Sequence, residues 1–499
     1  MSTMGSARLI VRSGSYLAAA ATALLIDLEP AGAQRPVGPT VSATIAAHDA
    51  MKRAARELGA RLWPDFRPDT IAMLISLDTA GAVLLSWRHP LPEGFEALSG
   101  VADAGWRADG RGGANTSGLL RGVRVALLTN RGVGTAALAG LAAHEAFHAH
   151  ESAVARQGMR FGAGENALLT LSYPVFDVRN EALFALEAAL LADALRASDR
   201  SERARVAGEF LAVRAVRQRA LAEQLVEFEK AAELHEGVAE YIQQRVQAQV
   251  AGGRGLAGDP PGWALAMADR VDRLVDSNAL SVRARFYATG TALMRLLDAH
   301  AGEDHKQRML REDAYPQEAL AMLLTVNPSA SALSDSVTYL RAAEQRVARL
   351  RALRRAQVDS ALSGSGILVE ISAERSGGSL NLCGFDPLNA QQAGRDSVLH
   401  ARYLSVCREG EYTAEWNTAV AQFGNARVAG LIGPEGEVQL SVDGRAHALR
   451  PGERLSDAHD VRITSVAFTL QATRADVERI GNTLRVTPIS PPRLHPASQ

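Results

Sequence analysis

The chain of 499 residues has only two cysteines, Cys383 and Cys407, and neither follows the apolar run near its start, so no lipid anchor is indicated. An excess of either charge is also missing: 54 basic side chains stand against 55 acidic ones, for a formal net charge of −1. With both signs interspersed there is no basic footprint for nucleic acid and no acidic tail, which excludes a polyanionic partner. Long hydrophobic runs are absent. The eleven residues from Tyr16 to Ile26 are too few to span a bilayer, and no other segment is long and uncharged enough to do so, so stable membrane insertion is not expected. Lysine is scarce beside alanine, arginine, leucine and glycine, as in proteins from GC-rich bacterial genes. Nothing in the pattern fixes an oligomeric state.

What the first 33 residues do contain is the layout of a secretory signal. Arg8 and Arg12 give a basic start, Tyr16 to Ile26 an apolar centre, and Ala31-Gly32-Ala33 a small-residue cleavage site before Gln34. Asp27 and Glu29 are atypical of such a segment. The expectation is export to the periplasm or the extracellular space, with cleavage after Ala33.

The stretch that carries chemistry is Ala137 to His150, ALAGLAAHEAFHAH, in which His144, Glu145 and His148 form an HExxH. On a helix, residues four apart share a face, so both imidazoles can reach one ion while Glu145 is turned to hold a water beside it. Small and apolar residues precede the motif, which suits a buried helix where unligated histidines and a glutamate would be costly. One zinc ion is therefore expected, with His144 and His148 as ligands and Glu145 as general base toward the water that the ion activates. His150 falls on another face.

Two histidines leave such a site short of a protein ligand. The best candidate lies in Glu233 to Tyr241, ELHEGVAEY, on a second helical stretch. HEGVAEY resembles the glutamate-bearing segment of the gluzincin metallopeptidases, particularly the thermolysin-like zinc aminopeptidases, and Phe286 to Asp298, FYATGTALMRLLD, resembles the same group's tyrosine helix. The resemblance implies that Glu236 is the third zinc ligand and that Tyr287 hydrogen-bonds the developing oxyanion. It covers about residues 120 to 300. Glu240, one turn after Glu236 on the same face, and Glu233, three residues before it, are rivals for the ligand role; with Glu236 as ligand, Glu240 becomes a partner that orients a histidine. The ring of His235 is expected to point about 100° away.

Two departures from that group stand out. Residues 149 to 235, 87 in number, separate His148 from Glu236, a far longer spacer than the aminopeptidases have. Their GAMEN segment, which binds the substrate amino terminus, precedes HExxH, whereas GAGEN here comes after it at Gly162 to Asn166 and is taken as coincidental. Exopeptidase specificity is accordingly not carried over.

The length calls for two or three domains, and the fold class expected is multidomain α+β. Residues 34 to 134 read as a small α/β sheet unit: Val41 to Leu62 has helical spacing, Ile71 to Leu77 and Ala82 to Trp87 read as paired strands, Val123 to Thr129 as a third, and Gly110 to Gly118 as a loop or flap. By the resemblance, one of these strands pairs with an extended substrate. Residues 135 to 363 read as a helical zinc-metallopeptidase domain in which 149 to 235 insert a helical hairpin free of ionisable clusters at its core positions. After Ser363-Gly364-Ser365-Gly366, residues 364 to 490 show short alternating runs, among them Val461 to Leu470, that suit a β-sandwich or small barrel, with a tail, 491 to 499, at the end. Cys383 and Cys407 are a disulfide if the chain is exported and buried thiols otherwise.

Two function classes result. The first is a secreted or periplasmic zinc-dependent peptidase acting on peptide or protein substrates. The second is a non-enzymatic envelope scaffold or binding protein whose metal site is structural or vestigial.

Overall fold

The computed structural model describes residues 39–77, 81–109, 115–252, 263–276, 282–302, 304–324, 336–373 and 379–489. The expected secretory segment and the tail lie outside them. The fold is mixed α+β, with eleven α-helices and two sheets among the described residues. No helix among them is long and apolar enough to cross a membrane. The chain divides into two compact units, one of Met1–Arg53 with Arg67–His150 and the other of Ala54–Phe66 with Glu151–Gln499.

In the first unit α1 (Pro39–Leu58) accompanies six strands: β1 (Ala72–Ser76), β2 (Ala82–Leu85), β3 (Glu96–Ala97), β4 (Gly105–Arg107), β5 (Thr116–Leu120) and β6 (Val123–Thr129). Their order is β3-β4-β2-β1-β6-β5. The two apolar runs expected to pair do so, antiparallel, as β1 and β2, while β6 joins β1 in parallel. Ala72, Leu84, Trp87 and Val125 form the core of the sheet. The expected loop from Gly110 to Gly118 needs correction at its end, because Thr116 to Gly118 belong to the edge strand β5. Its small residues give no alternation to read. At Gly118 a Cβ would stand 3.0 Å from Leu127 of the neighbouring strand, so the close approach there suits a residue without a side chain.

Helix α2 (Thr135–Val154) carries the HExxH. Ala139, Ala142, Ala143, Ala146 and Phe147 are fully buried, as the apolar approach to the motif required.

The helices of the second unit are α3 (Val178–Arg196), α4 (Arg200–Gln218), α5 (Glu223–Ala232), α6 (Val238–Val250), α7 (Trp263–Asp276), α8 (Val282–Ala301), α9 (Asp304–Glu312), α10 (Pro316–Leu323) and α11 (Ser336–Leu362). Asp177 and Asp199 cap α3 and α4, each accepting a backbone N–H three residues on. A three-residue link folds these two helices against each other as a hairpin within 149 to 235. Its core is not free of ionisable groups, however. Arg217 donates to Glu187 and Glu229, each at 2.5 Å, and Arg214 donates to Glu187 at 3.1 Å and Glu233 at 2.9 Å. Tyr173 completes the set by donating to Glu229 at 2.5 Å. These charges stay buried because each meets opposite charge and hydrogen-bond partners. Leu183, Leu186 and Val213 form an apolar stripe that packs beside them.

Thirteen strands from β7 (Leu368–Ser372) to β19 (Thr483–Pro488) form the C-terminal sheet, nearly a barrel, around Val369, Ile371, Trp416, Phe468 and Val486. Pairing is antiparallel except where β19 meets β7. The run from Val461 to Leu470, read as one strand, is the hairpin between β17 (Arg454–Thr464) and β18 (Phe468–Ile480). Its turn has neither Gly nor Pro. The Ser465 hydroxyl accepts the N–H of Ala467 and closes the turn instead. Cys383 on β8 (Asn381–Phe385) and Cys407 on β11 (Leu404–Arg408) form a disulfide between paired strands.

Candidate metal centre

The HExxH helix presents its two imidazoles as the i, i+4 spacing requires. His144 Nε2 and His148 Nε2 are 3.1 Å apart, and both residues are buried. Two Zn–N bonds of about 2.0 to 2.1 Å at a tetrahedral angle separate the nitrogens by about 3.3 Å, so the pair is already spaced for one ion. Three groups of His and Glu side chains among the described residues can hold a metal. In each, one ligand atom per residue lies within 4.8 Å of the others: His144, His148 and Glu236; His148, Glu151 and His235; and Glu165, His235 and Glu236. The first is the set expected from the sequence, and its two imidazoles and one carboxylate suit zinc without being peculiar to it.

Glu236 is delivered by an irregular stretch. Between α5 and α6 the chain makes a π-helical turn, Glu233–Gly237, which admits an extra residue and rotates the helix beyond it. The turn overturns the expectation that His235 points away. His235 Nδ1 lies 2.9 Å from the Glu151 carboxylate, and His235 Nε2 is 3.8 Å from Glu236 Oε1. Glu151 itself sits one turn beyond His148 on α2.

Tyr287, on the first turns of α8, is also brought to this place, where its phenol donates a hydrogen bond to Glu236. Burial, and next the Glu236 charge, push the phenol well above its ordinary pKa, so it is a neutral donor at any working pH. One turn earlier on α8, Arg283 donates through Nη2 to Glu236 and through Nε to Glu165. Its guanidinium also lies 5.7 Å from the Tyr287 ring. Burial lowers the Arg283 pKa, but Glu236 and Glu165 outweigh it and hold the guanidinium charged.

The rival ligands are engaged elsewhere. Glu240 forms a two-point ion pair with Arg270, so it does not orient a histidine as supposed, and Glu233 is tied to Arg214 and Thr289. His150 packs its ring against Phe147, 6.0 Å away, and takes part in none of the three metal groups. Glu145 is buried on α2, 4% exposed. Missed from the sequence were Glu151, Glu165 and Arg283, while His235 was weighed and set aside. A signal existed for Glu165, since it is the glutamate of the GAGEN segment that was set aside, and for Arg283, one helical turn before Tyr287.

No protein-family model, curated protein or solved structure matches the chain.

Proposed function

We propose that this protein is an exported, zinc-dependent peptidase of gluzincin type. The observation that carries the reading is the grouping of ligand atoms from His144, His148 and Glu236 within 4.8 Å. These three residues would hold the ion. A zinc ion supplies Lewis acidity, which polarises a carbonyl and acidifies water toward a pKa of about 7. Glu145, beside His144, is the base that accepts the proton of the attacking water at its carboxylate and returns it to the leaving amine. Tyr287, a neutral, partly buried donor, offers its O–H to the charge that develops on the carbonyl oxygen. The Cys383–Cys407 disulfide supports the export component, since such bonds persist in oxidising compartments.

The test is turnover of a broad peptide library by zinc-loaded protein, with Glu145→Gln as control. Cleavage by the wild type and none by the variant, with metal retained in both, is expected. Failure to cleave anything, or full activity in Glu145→Gln, rejects the reading.

Burial favours a second reading, a metal-stabilised scaffold without turnover, because His144, Glu145, His148 and Glu236 are only 3 to 7% exposed. Under that reading chelation lowers the melting temperature of a protein that cleaves nothing.

A further inference from the structure

Among the three groups able to hold a cation, that of Glu165, His235 and Glu236 already contains one. Arg283 Nε donates to Glu165 Oε1 while its Nη2 donates to Glu236 Oε1, so the guanidinium bridges the two carboxylates. The side chains of Arg283, Glu165 and Glu236 are 16%, 2% and 4% exposed respectively, which makes this an interior ion triad rather than a surface one. Glu165 keeps its second oxygen, Oε2, buried and without a hydrogen-bond partner among the described residues. His235 Nδ1 lies 2.9 Å from the Glu151 carboxylate, and its Nε2 is 3.8 Å from Glu236. Two buried carboxylates this close repel, and one stays ionised beside the other only with positive charge between them.

We propose that Arg283 is the fixed cation of this centre, standing between Glu165 and Glu236 where a second metal ion would otherwise bind, so that the protein takes up one divalent ion and not two. The inference rests on the proposed metal site for the first ion only. The guanidinium also sets the direction of Glu236 by holding Oε1, which makes Arg283 a positioning residue for the third ligand. A planar fork with donors at fixed angles can bridge two carboxylates in this way, whereas an ammonium supplies the charge without the geometry.

The experiment is a zinc titration of the metal-stripped full chain, counting bound equivalents by calorimetry and elemental analysis, with folding checked by circular dichroism. Wild type and Arg283→Lys are expected to bind one equivalent and Arg283→Ala two, the added one requiring Glu165. Arg283→Gln, which keeps the size and loses the charge, repeats the measurement should the alanine variant not fold. Two equivalents in the wild type, or the same count in wild type and charge-removed variants, overturn the proposal. No zinc in the wild type with one equivalent in Arg283→Ala would uphold Arg283 as the resident cation while rejecting the catalytic metal site. The difference between the two proteins therefore reports on Arg283, and the wild-type count on the function.

Discussion

Gly237 and Gly290 touch where the π-helical turn after α5 crosses α8: a Cβ on Gly237 would stand 2.5 Å from the Cα of Gly290, and one on Gly290 would stand 2.8 Å from the Cα of Gly237. Thr291 ties the crossing by donating to the Gly237 carbonyl at 3.0 Å. The glycines of HEGVAEY and of YATGTA are thus two halves of one contact. It brings the stretch of chain bearing Glu236 against the helix bearing Arg283 and Tyr287.

Replacing either glycine by alanine forces a methyl group into backbone rather than into a side chain that can move aside. Gly237→Ala is expected to cost about 1 to 3 kcal/mol, the range for overpacked interiors, or somewhat more. Because the crossing positions Glu236, the same variant should also bind zinc more weakly. Thermal unfolding and a zinc titration check both, and an unchanged melting temperature would refute the crossing as described.

Glu236 and Glu240 lie four residues apart, yet one belongs to the metal group and the other to an ion pair with Arg270. Glu236→Gln should therefore weaken zinc binding by more than the roughly 10- to 100-fold that loss of an orienting partner costs. Glu240→Gln should leave it unchanged and cost at most about 1 kcal/mol, since Arg270 is one-third exposed. Equal losses of affinity in the two variants would contradict the assignment.

These contrasts mark where the sequence was readable. His144 and His148 are a local pair, and helical spacing alone brings them together. Val123 to Thr129 and the runs around Leu74 and Leu84 were legible as strands because they are continuous and apolar. Glu236 came from resemblance, and nothing in its periodicity separated it from Glu240. His235 was misplaced because a 3.6-residue repeat has no room for a π-turn, and one added residue changes the face by about 100°. Glu165 and Arg283 were missed for a different reason. They meet across 118 positions of sequence, and no local pattern encodes such a pairing. The buried charges Glu187, Arg214 and Arg217 were hidden by the apolar stripe beside them, and the β17–β18 turn by its lack of Gly or Pro.

His48 provides a pH test away from the metal. It is 4% exposed, its Nε2 lies 3.3 Å from the Ser86 hydroxyl, and burial, with help from Lys52, lowers its pKa to about 4. The unfolded chain binds a proton at this histidine near pH 6.5, and the folded chain only near pH 4, so stability is full above pH 6.5 and falls as pH drops through that window. The contribution is about 3 kcal/mol at most, by the free energy of 1.36 kcal/mol per pKa unit. Urea unfolding at pH 7, 5.5 and 4 should show a smaller loss in His48→Gln than in the wild type. Parallel losses would mean that His48 is not held neutral.

Tyr287 poses the sharpest question, because its O–H donates to Glu236 in this structure and is also the group proposed to serve the transition state. The two roles separate in Tyr287→Phe. If the phenol only orients Glu236, the variant binds zinc more weakly, and turnover returns at saturating zinc. If it also donates to the developing oxyanion, kcat stays depressed at saturating zinc by about 100- to 1,000-fold, with KM little changed, since that hydrogen bond exists only in the transition state. The second outcome is expected. Arg283 supports it, because a guanidinium already fixed on Glu236 Oε1 keeps the ligand oriented when the phenol is gone. The pH profile gives an independent check. Burial and the Glu236 charge hold the phenol above its ordinary pKa, so no loss of activity assignable to Tyr287 ionisation should appear below about pH 10. An alkaline limb below that value in the wild type, abolished in Tyr287→Phe, would show that the phenol ionises in the working range and would rule out the neutral-donor role.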